Sequence, residues 1–373
     1  MKRRLLRFGL IGLALAIGGF LLAASGIIPI KASSGHWPVT EWFLHFSMRR
    51  SIALHSWGIE TPELDAPQLE LKGAGHYEVG CRPCHGSPEF PLPVIPRGMT
   101  PHPPDLQSRI PDMKPRELFY VVKHGVKFTG MPAWPAQERE DEIWAIVAFL
   151  RKLPNLNAEE YRRLAHGEVL TTGDGAPIGE LAGPQSIPRA VTESCARCHG
   201  ARGEGRGDGA FPRLAGQSRA YLENAIHAYA EGTRFSGIMQ PIAASLTPEA
   251  RREIANYYAS QTPLLPSRAL VENKAAIERG ALIVEHGIPS QRVPSCADCH
   301  GPGGARRKEA YPLLAGQYAD YLKLQLQLFE KGHRGGSAYA HLMHPVATRL
   351  SAEQMRDVAL YLESVRPDTA AAR

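Results

Sequence analysis

The chain has 373 residues, of which 43% are hydrophobic, 8% aromatic and 21% charged, with 36 glycines and 31 prolines. This composition excludes a disordered, a collagen-like or a polytopic membrane protein, and it suits two or three small domains with loop-rich connections. The net charge is +6, but five basic and no acidic residues lie in positions 1–31, which leaves 38 basic against 37 acidic side chains elsewhere. No basic face for nucleic acid is implied.

The N-terminus carries one long apolar segment. Residues Phe8–Ile30 contain no charged side chain and exceed the roughly 20 residues needed to cross a bilayer. Basic residues precede the segment, and the positive-inside rule sends everything after Lys31 outward. We therefore predict a transmembrane anchor within residues 1–31 in a bacterial inner membrane, with the remainder in the periplasm. A cleaved signal peptide is the alternative, because residues 23–25 are small enough for a cleavage site.

All six cysteines fall into three copies of the pattern CxxCH. Random placement of 6 cysteines and 15 histidines predicts about 0.004 such matches, so three copies are not accidental. Two thiols at this spacing can add to the two vinyl groups on one edge of a haem, while the adjacent histidine faces the iron. We therefore predict three covalently bound haem c groups. The copies are Cys81, Cys84 and His85; Cys195, Cys198 and His199; and Cys296, Cys299 and His300.

Three other cysteine chemistries fit the pattern less well. Disulfides suit an oxidising compartment, but they do not require a histidine after every second cysteine. Zinc needs four ligands per site, and CxxCH supplies three. A thioredoxin-like redox pair predicts one motif rather than three.

The units around the second and third motifs repeat one another, and the first unit differs. FPRLAGQSRAYL at Phe211–Leu222 matches YPLLAGQYADYL at Tyr311–Leu322 at an offset of 100. In the first unit, GMPAW at 130–134 precedes a segment with helical spacing at 141–154. The chain resembles a triple-haem c-type cytochrome, with a first unit similar to single-haem class I cytochromes and two further units similar to the halves of cytochrome c4. This resemblance implies an all-α fold of three tandem class I cytochrome c domains after the N-terminal transmembrane helix.

The domain boundaries are predicted from these motifs and from the Gly/Pro-rich stretches between them. The link between the second and third units, Thr262–Arg268, is too short to let them separate, so we expect them to pack together. The predicted segments are 1–31 for the signal anchor, 32–64 for a membrane-proximal helix or spacer, 65–155 for the first unit, 156–185 for a linker, 186–263 for the second unit, 264–366 for the third unit and 367–373 for a tail.

The sixth iron ligand distinguishes a carrier from an enzyme. Methionine gives an electron carrier of relatively high potential, whereas an open position allows substrate chemistry. The resemblance implies a methionine in the loop before the last helix of each unit. The candidates are Met131, Met239 and Met343. Their rivals are Met99 and Met113 in the first unit, His227 in the second, and His333, His341 and His344 in the third.

The resemblance also suggests a proline in each unit whose carbonyl accepts the N–H of the proximal imidazole and orients the ring. Pro212 and Pro312 lie 13 and 12 residues after their histidines, and Pro104 is the candidate in the first unit. An ordinary turn proline is the alternative for each.

Three saturated irons leave no position for substrate conversion, so the predicted chemistry is outer-sphere electron transfer without catalysis. The predicted protein relays electrons between redox proteins, with a dehydrogenase or quinol-oxidising complex as donor and an oxidase or soluble cytochrome as acceptor. One alternative is the cytochrome c subunit of a periplasmic alcohol, aldehyde or sugar-acid dehydrogenase. The other is a haem peroxidase with an open iron.

Overall fold

The computed structural model describes residues 2–28, 30–167, 187–207, 209–263, 273–301 and 308–367. In these ranges the chain is helical, with two isolated β-bridges and no strand. The all-α prediction is confirmed. The predicted linker from residue 168 onward and the tail from residue 368 onward lie outside the described residues.

The N-terminal apolar helix, α1, covers Lys2–Ala24. Its mean hydropathy reaches 2.1 and none of the apolar window is buried. Within the described residues it alone is long and apolar enough to cross a membrane, and signal sequences near an N-terminus share these properties. The helix ends at Ala24, so residues 25–28 of the predicted apolar segment lie outside it.

A second exposed helix, α2 at Pro38–His55, follows α1 and occupies the predicted membrane-proximal segment. Large aromatic side chains remain exposed along it, including Trp42 at 64% and Phe43 at 57%. Its C-terminal end contacts the first unit, where the rings of His55 and Tyr120 stack with centroids 5.8 Å apart. This helix therefore contacts the first unit through its C-terminal end.

The first unit is organised around the crossing of two helices, α3 at Pro67–Gly80 and α8 at Glu140–Lys152. A Cβ atom at Gly73 of α3 would lie 2.0 Å from the carbonyl oxygen of Ala145 in α8, so the close crossing requires a glycine. The segment predicted as helical, 141–154, corresponds to α8. The helices of this unit are α3 Pro67–Gly80, α4 Arg82–His85, α5 Val94–Arg97, α6 Leu106–Arg109, α7 Pro115–His124, α8 Glu140–Lys152 and α9 Ala158–His166.

The first unit extends beyond its predicted end at residue 155. Residues 158–166, expected in the linker, form α9, which begins where the side chain of Asn157 accepts the backbone N–H of Glu160 at 2.9 Å. Tyr161 of α9 is fully buried and donates its hydroxyl to Glu78 at 2.6 Å. The helix is added to the unit because its buried face completes the core, and the sequence pattern had not revealed that contact.

The second and third units share the order of their helices from the motif onward, but before the motif the second has a five-residue π-helical turn and the third has a helix of 13 residues. The crossing of α14 (Lys274–His286) and α18 (Ala352–Ser364) in the third unit again requires a glycine, since a Cβ at Gly280 would lie 2.1 Å from the carbonyl oxygen of Asp357. The second unit contains a π-helical turn at Val191–Cys195, then α10 Ala196–His199, α11 Arg219–Ala230, α12 Met239–Ser245 and α13 Pro248–Ala259; the third contains α14 Lys274–His286, α15 Cys296–His300, α16 Ala319–Glu330, α17 Ala340–Ala347 and α18 Ala352–Ser364.

The second and third units pack together through a pair of equivalent amide side chains, as expected from their short link. Gln217 accepts the N–H of Leu313 at 2.9 Å and donates to the carbonyl oxygen of the same residue at 2.8 Å. Gln317 forms the same two bonds with Arg213, both at 3.0 Å. The junction is therefore approximately symmetric, with each repeat contributing the same group.

Candidate functional site

Each CxxCH motif forms a short helical turn that ends at its histidine. In the first motif, the backbone N–H of His85 donates to the carbonyl oxygen of Cys81 at 2.9 Å. The residue after each histidine is a glycine with positive φ, which is 69° at Gly86, 81° at Gly200 and 93° at Gly301. A side chain at these positions would strain the backbone, so the glycine lets the chain turn away while the histidine stays on the helical turn.

A proline carbonyl faces Nδ1 of every motif histidine. With Nδ1 donating, each imidazole is held in one orientation and its Nε2 lone pair is free for a metal. Burial lowers the pKa of His199, and the hydrogen bond to the carbonyl of Pro212 opposes this decrease. The contacts are His85 to Pro104 at 3.1 Å, His199 to Pro212 at 3.0 Å and His300 to Pro312 at 3.1 Å. The geometry suits proximal ligands, and the role of these residues toward iron stays a prediction.

The cysteines of the motifs are not paired with one another. Burial raises the pKa of the Cys81 and Cys195 thiols to about 12, and that of Cys198 and Cys296 to about 11. Thiolate chemistry, as in a reactive redox pair, needs a lowered pKa instead. Across the described ranges no group of three or more His, Cys, Asp or Glu side chains is arranged to hold a metal ion.

One cavity of about 520 Å³ joins the second and third motifs. Most of the side chains around it are apolar, among them Leu222, Ile254 and Val358. The cavity brings the second and third motifs together with their predicted methionines, and its largely apolar lining suits an apolar macrocycle. The predicted site residues on its wall are Cys195, Cys198, His199, Pro212, Met239, Cys296, Cys299, His300, Pro312 and Met343.

The rival ligands lie elsewhere. His227, His333, His341 and His344 are not among the residues that line the cavity. His344 Nδ1 instead lies 2.7 Å from the carbonyl oxygen of Phe329. The geometry therefore favours Met239 and Met343 as sixth ligands over these histidines.

The first motif has a separate environment, because its residues do not line this cavity. Cys81 packs against the core of the first unit. Met131 lies on the loop between α7 and α8, where its carbonyl oxygen accepts the N–H of Val126 at 3.1 Å. Of its rivals, Met113 packs against the core, and Met99 lies against Gly130 beside Met131. Met131 remains the predicted ligand in this unit.

Two arginines that the sequence analysis did not single out also line the cavity. Arg234 donates to the hydroxyl of Tyr321 at 3.2 Å, and Arg334 donates to that of Tyr221 at 3.3 Å. In the part of the chain that the structure describes, neither guanidinium forms an ion pair with a carboxylate. A haem carries two propionates, and the buried Arg234 and the half-buried Arg334, neither paired with a carboxylate among the described residues, suit their charge. The offset of 100 between the arginines was a signal available in the sequence.

A buried carboxylate at the boundary between the first and second units was also missed. Glu142 is 2% exposed and accepts hydrogen bonds from the indole N–H of Trp134 at 3.1 Å, from Ser236 at 2.6 Å and from the N–H of Gly237 at 2.7 Å. It stands four residues before Ile146, on the apolar face of α8. A glutamate on the apolar face of a predicted helix was the signal available in the sequence.

Two family profiles match the chain. The profile described as cytochrome c oxidase, cbb3-type, subunit III matches residues 68–150, and the cytochrome c profile matches residues 188–262 and 278–366. The matches coincide with the three CxxCH units.

Among known proteins, the chain is similar to a thiosulfate dehydrogenase electron acceptor of Thiomonas intermedia, with 35% identity over 191 residues that cover 50% of this chain and 87% of that protein. A protein of the same description from Stutzerimonas stutzeri is 35% identical over 222 residues, covering 60% of this chain and 94% of the relative. The cytochrome c4 of Pseudomonas aeruginosa is 30% identical over 191 residues, covering 50% and 92%. These relatives span about half of this chain.

Proposed function

The chain belongs to the cytochrome c family, and from that premise we propose that each CxxCH motif holds one covalent haem c and that the protein accepts electrons from a periplasmic dehydrogenase. The observation that carries the proposal is the cavity in which two motifs, their proline-held histidines and two methionines come together. Electron transfer is the activity common to the family. The number of haems, the donor and the acceptor belong to the proposal.

The protein's own residues prepare each site for fast electron exchange. Haem c, when bound, supplies an iron that accepts and releases one electron. The cysteines anchor the group, and the proline carbonyl fixes the ring of the histidine, so the ligand needs little rearrangement between redox states. Apolar side chains exclude water, and methionine as sixth ligand raises the potential. In the shared cavity, Arg234 and Arg334 would pair with propionates.

The proposed donor is a thiosulfate dehydrogenase. Two similar proteins are described as electron acceptors of that enzyme, and this chain covers 87% and 94% of their lengths. This supports the dehydrogenase alternative of the sequence analysis in its general form, with an inorganic sulfur compound in place of an alcohol, aldehyde or sugar acid. The proposed onward acceptor is a terminal oxidase or a soluble cytochrome, and the relatives' descriptions do not bear on it.

In the proposal, α1 anchors the haem units on the periplasmic face of a bacterial inner membrane. Its length, its hydropathy and the basic residues before it support an anchor. The protein should then stay in the membrane fraction after washing with alkaline carbonate. Release into the wash, with an N-terminus near residue 25, would instead identify α1 as a cleaved signal sequence.

The test of the function uses the oxidised, full-length holoprotein. Intact mass should show three haems, and the visible spectrum should change to the reduced form when thiosulfate dehydrogenase and thiosulfate are added together, with neither sufficient alone. A quinoprotein alcohol dehydrogenase with its alcohol is the matched control. Reduction by the control pair only would transfer the assignment to an alcohol dehydrogenase. Carbon monoxide binding to the reduced native protein would instead support an open iron and a peroxidase.

A further inference from the structure

The first unit is seated on the second through apolar contacts at the second motif. A Cβ atom at Gly75 of α3 would lie 2.7 Å from the ring of Phe211 and 3.5 Å from Sγ of Cys198. The helix that leads into the first motif therefore lies directly against a cysteine of the second. Ile238, next to the predicted ligand Met239, is 6% exposed and is buried in the core of the first unit. The two units thus share a core at this point.

Polar groups fix the register of the same contact. Glu142 of the first unit accepts hydrogen bonds from Ser236 and from the N–H of Gly237 in the second unit. Arg139, beside it, donates to the carbonyl oxygen of Phe235 at 2.7 Å. A buried carboxylate is strongly destabilised when it loses its partners, so separation of the two units would have to rehydrate all of these groups.

Aromatic rings continue from the loop of the first predicted methionine to the proximal histidine of the second site. Trp134 lies 6.2 Å from His76, His76 lies 6.5 Å from Phe211, and Phe211 lies 6.5 Å from His199, measured between ring centroids. His76 is 5% exposed, and its Nδ1 has no hydrogen-bond partner among the described residues. Trp134 also covers Gly237, where a Cβ would lie 2.2 Å from the indole.

We propose that the first unit is permanently docked over the cysteine edge of the second haem site, so that electrons pass between the first and second sites inside one rigid body. This inference rests on the proposed function. An electron crossing the junction oxidises the donor site by one equivalent and reduces the acceptor site by one equivalent, with no bond made or broken. Glu142, Trp134 and Gly237 are positioning residues, because they set the separation of the two sites.

Permanent docking distinguishes this arrangement from a tethered shuttle. A shuttling unit needs a small, easily separated contact surface, as transient redox complexes have. Here Ile238 of the second unit is part of the core of the first unit. The carboxylate of Glu142 in the first unit accepts hydrogen bonds from donors of the second unit. Such a contact is closer to the interior of a domain than to a transient interface.

The test measures the separation of the two units in the full-length holoprotein by pulsed electron paramagnetic resonance between two nitroxide labels. All native cysteines are consumed by haem attachment, so the changes Glu138→Cys in the first unit and Asn224→Cys in the second create the only two free thiols. Both positions are exposed. A reference pair of labels at Glu138→Cys and Glu159→Cys lies within the first unit. It gives the width of the distance distribution that is expected for a rigid body.

We expect the distance distribution between the two labels across the junction to be as narrow as that of the reference pair within the first unit. Gly237→Val, which places a side chain against Trp134, should cause loss of the narrow peak. The matched control is His341→Val, since His341 is exposed and precedes Met343 by two residues as Gly237 precedes Met239; it should leave the peak unchanged.

A broad distribution across the unaltered junction would overturn the inference, even if Gly237→Val did not fold. The haem count separates this outcome from failure of the proposed function. Three haems by mass with a broad distribution refute permanent docking alone, whereas fewer than three haems refute the proposed function.

Discussion

The two junctions between the units are built on different principles. Between the second and third units, equivalent residues of the two repeats form the same bonds twice, and the groups are neutral amides at Gln217 and Gln317. Between the first and second units no such repetition occurs among the described residues, and the polar part of the contact is centred on the buried carboxylate of Glu142. Two similar repeats can use one set of residues twice, as an isologous interface does. A unit with a different sequence requires its own complementary groups.

We expect the two junctions to differ in how much stability they lose on substitution, because a buried charge that loses its partners costs more free energy than a neutral amide does. Four predictions test this comparison, in order of decreasing effect.

The largest effect is expected for Glu142→Ala. The change leaves the donors of Trp134, Ser236 and Gly237 without an acceptor, and it removes one carboxylate from Arg139. Breaking a buried ion pair in this way should lower the free energy of unfolding by about 3–5 kcal/mol, measured by denaturant unfolding of the holoprotein. The control Glu138→Ala, at an exposed position, should change it by less than about 0.5 kcal/mol. Similar losses of unfolding free energy for Glu142→Ala and Glu138→Ala would contradict a stabilising role for the buried carboxylate at this junction.

The second prediction concerns acid pH and His76. Burial lowers the pKa of His76 from 6.5 to about 3, with Lys72 and Arg139 adding to the decrease and Asp141 opposing it. Between these values the unfolded chain binds a proton that the folded protein does not. Stability should therefore fall as the pH decreases from 6.5 toward 3, by up to about 1.4 kcal/mol per pH unit.

Asp141 acts in the same direction at lower pH. Although burial opposes it, Lys72 and Arg139 hold the pKa of this carboxyl well below its usual value, so its contribution is present above that value and is lost as the pH falls further. Denaturant unfolding at a series of pH values would measure both effects, and His76→Phe should flatten the slope between about pH 6.5 and about pH 4. An unchanged slope in that variant would assign the acid sensitivity to other groups.

The third prediction uses the symmetry of the second junction. Gln217→Ala leaves the backbone N–H and the carbonyl of Leu313 without a partner, and Gln317→Ala does the same at Arg213 and also at the N–H of Tyr318. Each change should cost about 1–3 kcal/mol, and in unfolding experiments the loss for Gln317→Ala should be at least as large as that for Gln217→Ala. Gln291→Ala, at an exposed position, is the control. A clearly larger loss for Gln217→Ala would contradict the assignment of equivalent roles to the two amides.

The smallest effect is expected at the paired arginines and follows from the proposed function. Arg234→Gln and Arg334→Gln each remove a positive charge from the shared cavity, which stabilises the oxidised form of the nearby site and lowers its potential. The shift should be at most about 59 mV, a tenfold change for a one-electron couple, in a potentiometric titration. The exposed Arg349→Gln provides the comparison. A rise in potential would exclude this electrostatic role.

The sequence was sufficient for features that are local in the chain. The two cysteines and the histidine of each motif lie on one helical turn, so their spacing in sequence is their spacing in space. The helical period identified α8, and the repeat paired Met239 with Met343, which the structure places on one cavity. The histidine–proline contacts are also present at all three predicted positions. For the same reason, the family and the all-α fold were within reach of sequence analysis.

Only the tertiary structure decided which surfaces meet. Ser236 and Glu142 are 94 residues apart, and no periodic pattern relates them. The helix α9 carries local signals, a capping box at Asn157 and Glu160, but only the packing of Tyr161 shows that it belongs to the first unit. Docking depends on complementary shape and charge across two folded surfaces. At Gly237, for example, a glycine is needed because the indole of Trp134 covers that position. The sequence alone therefore determined the chemistry that each unit can hold, whereas the fold determined how the units are held together, because covalent motifs are local and complementary surfaces are not.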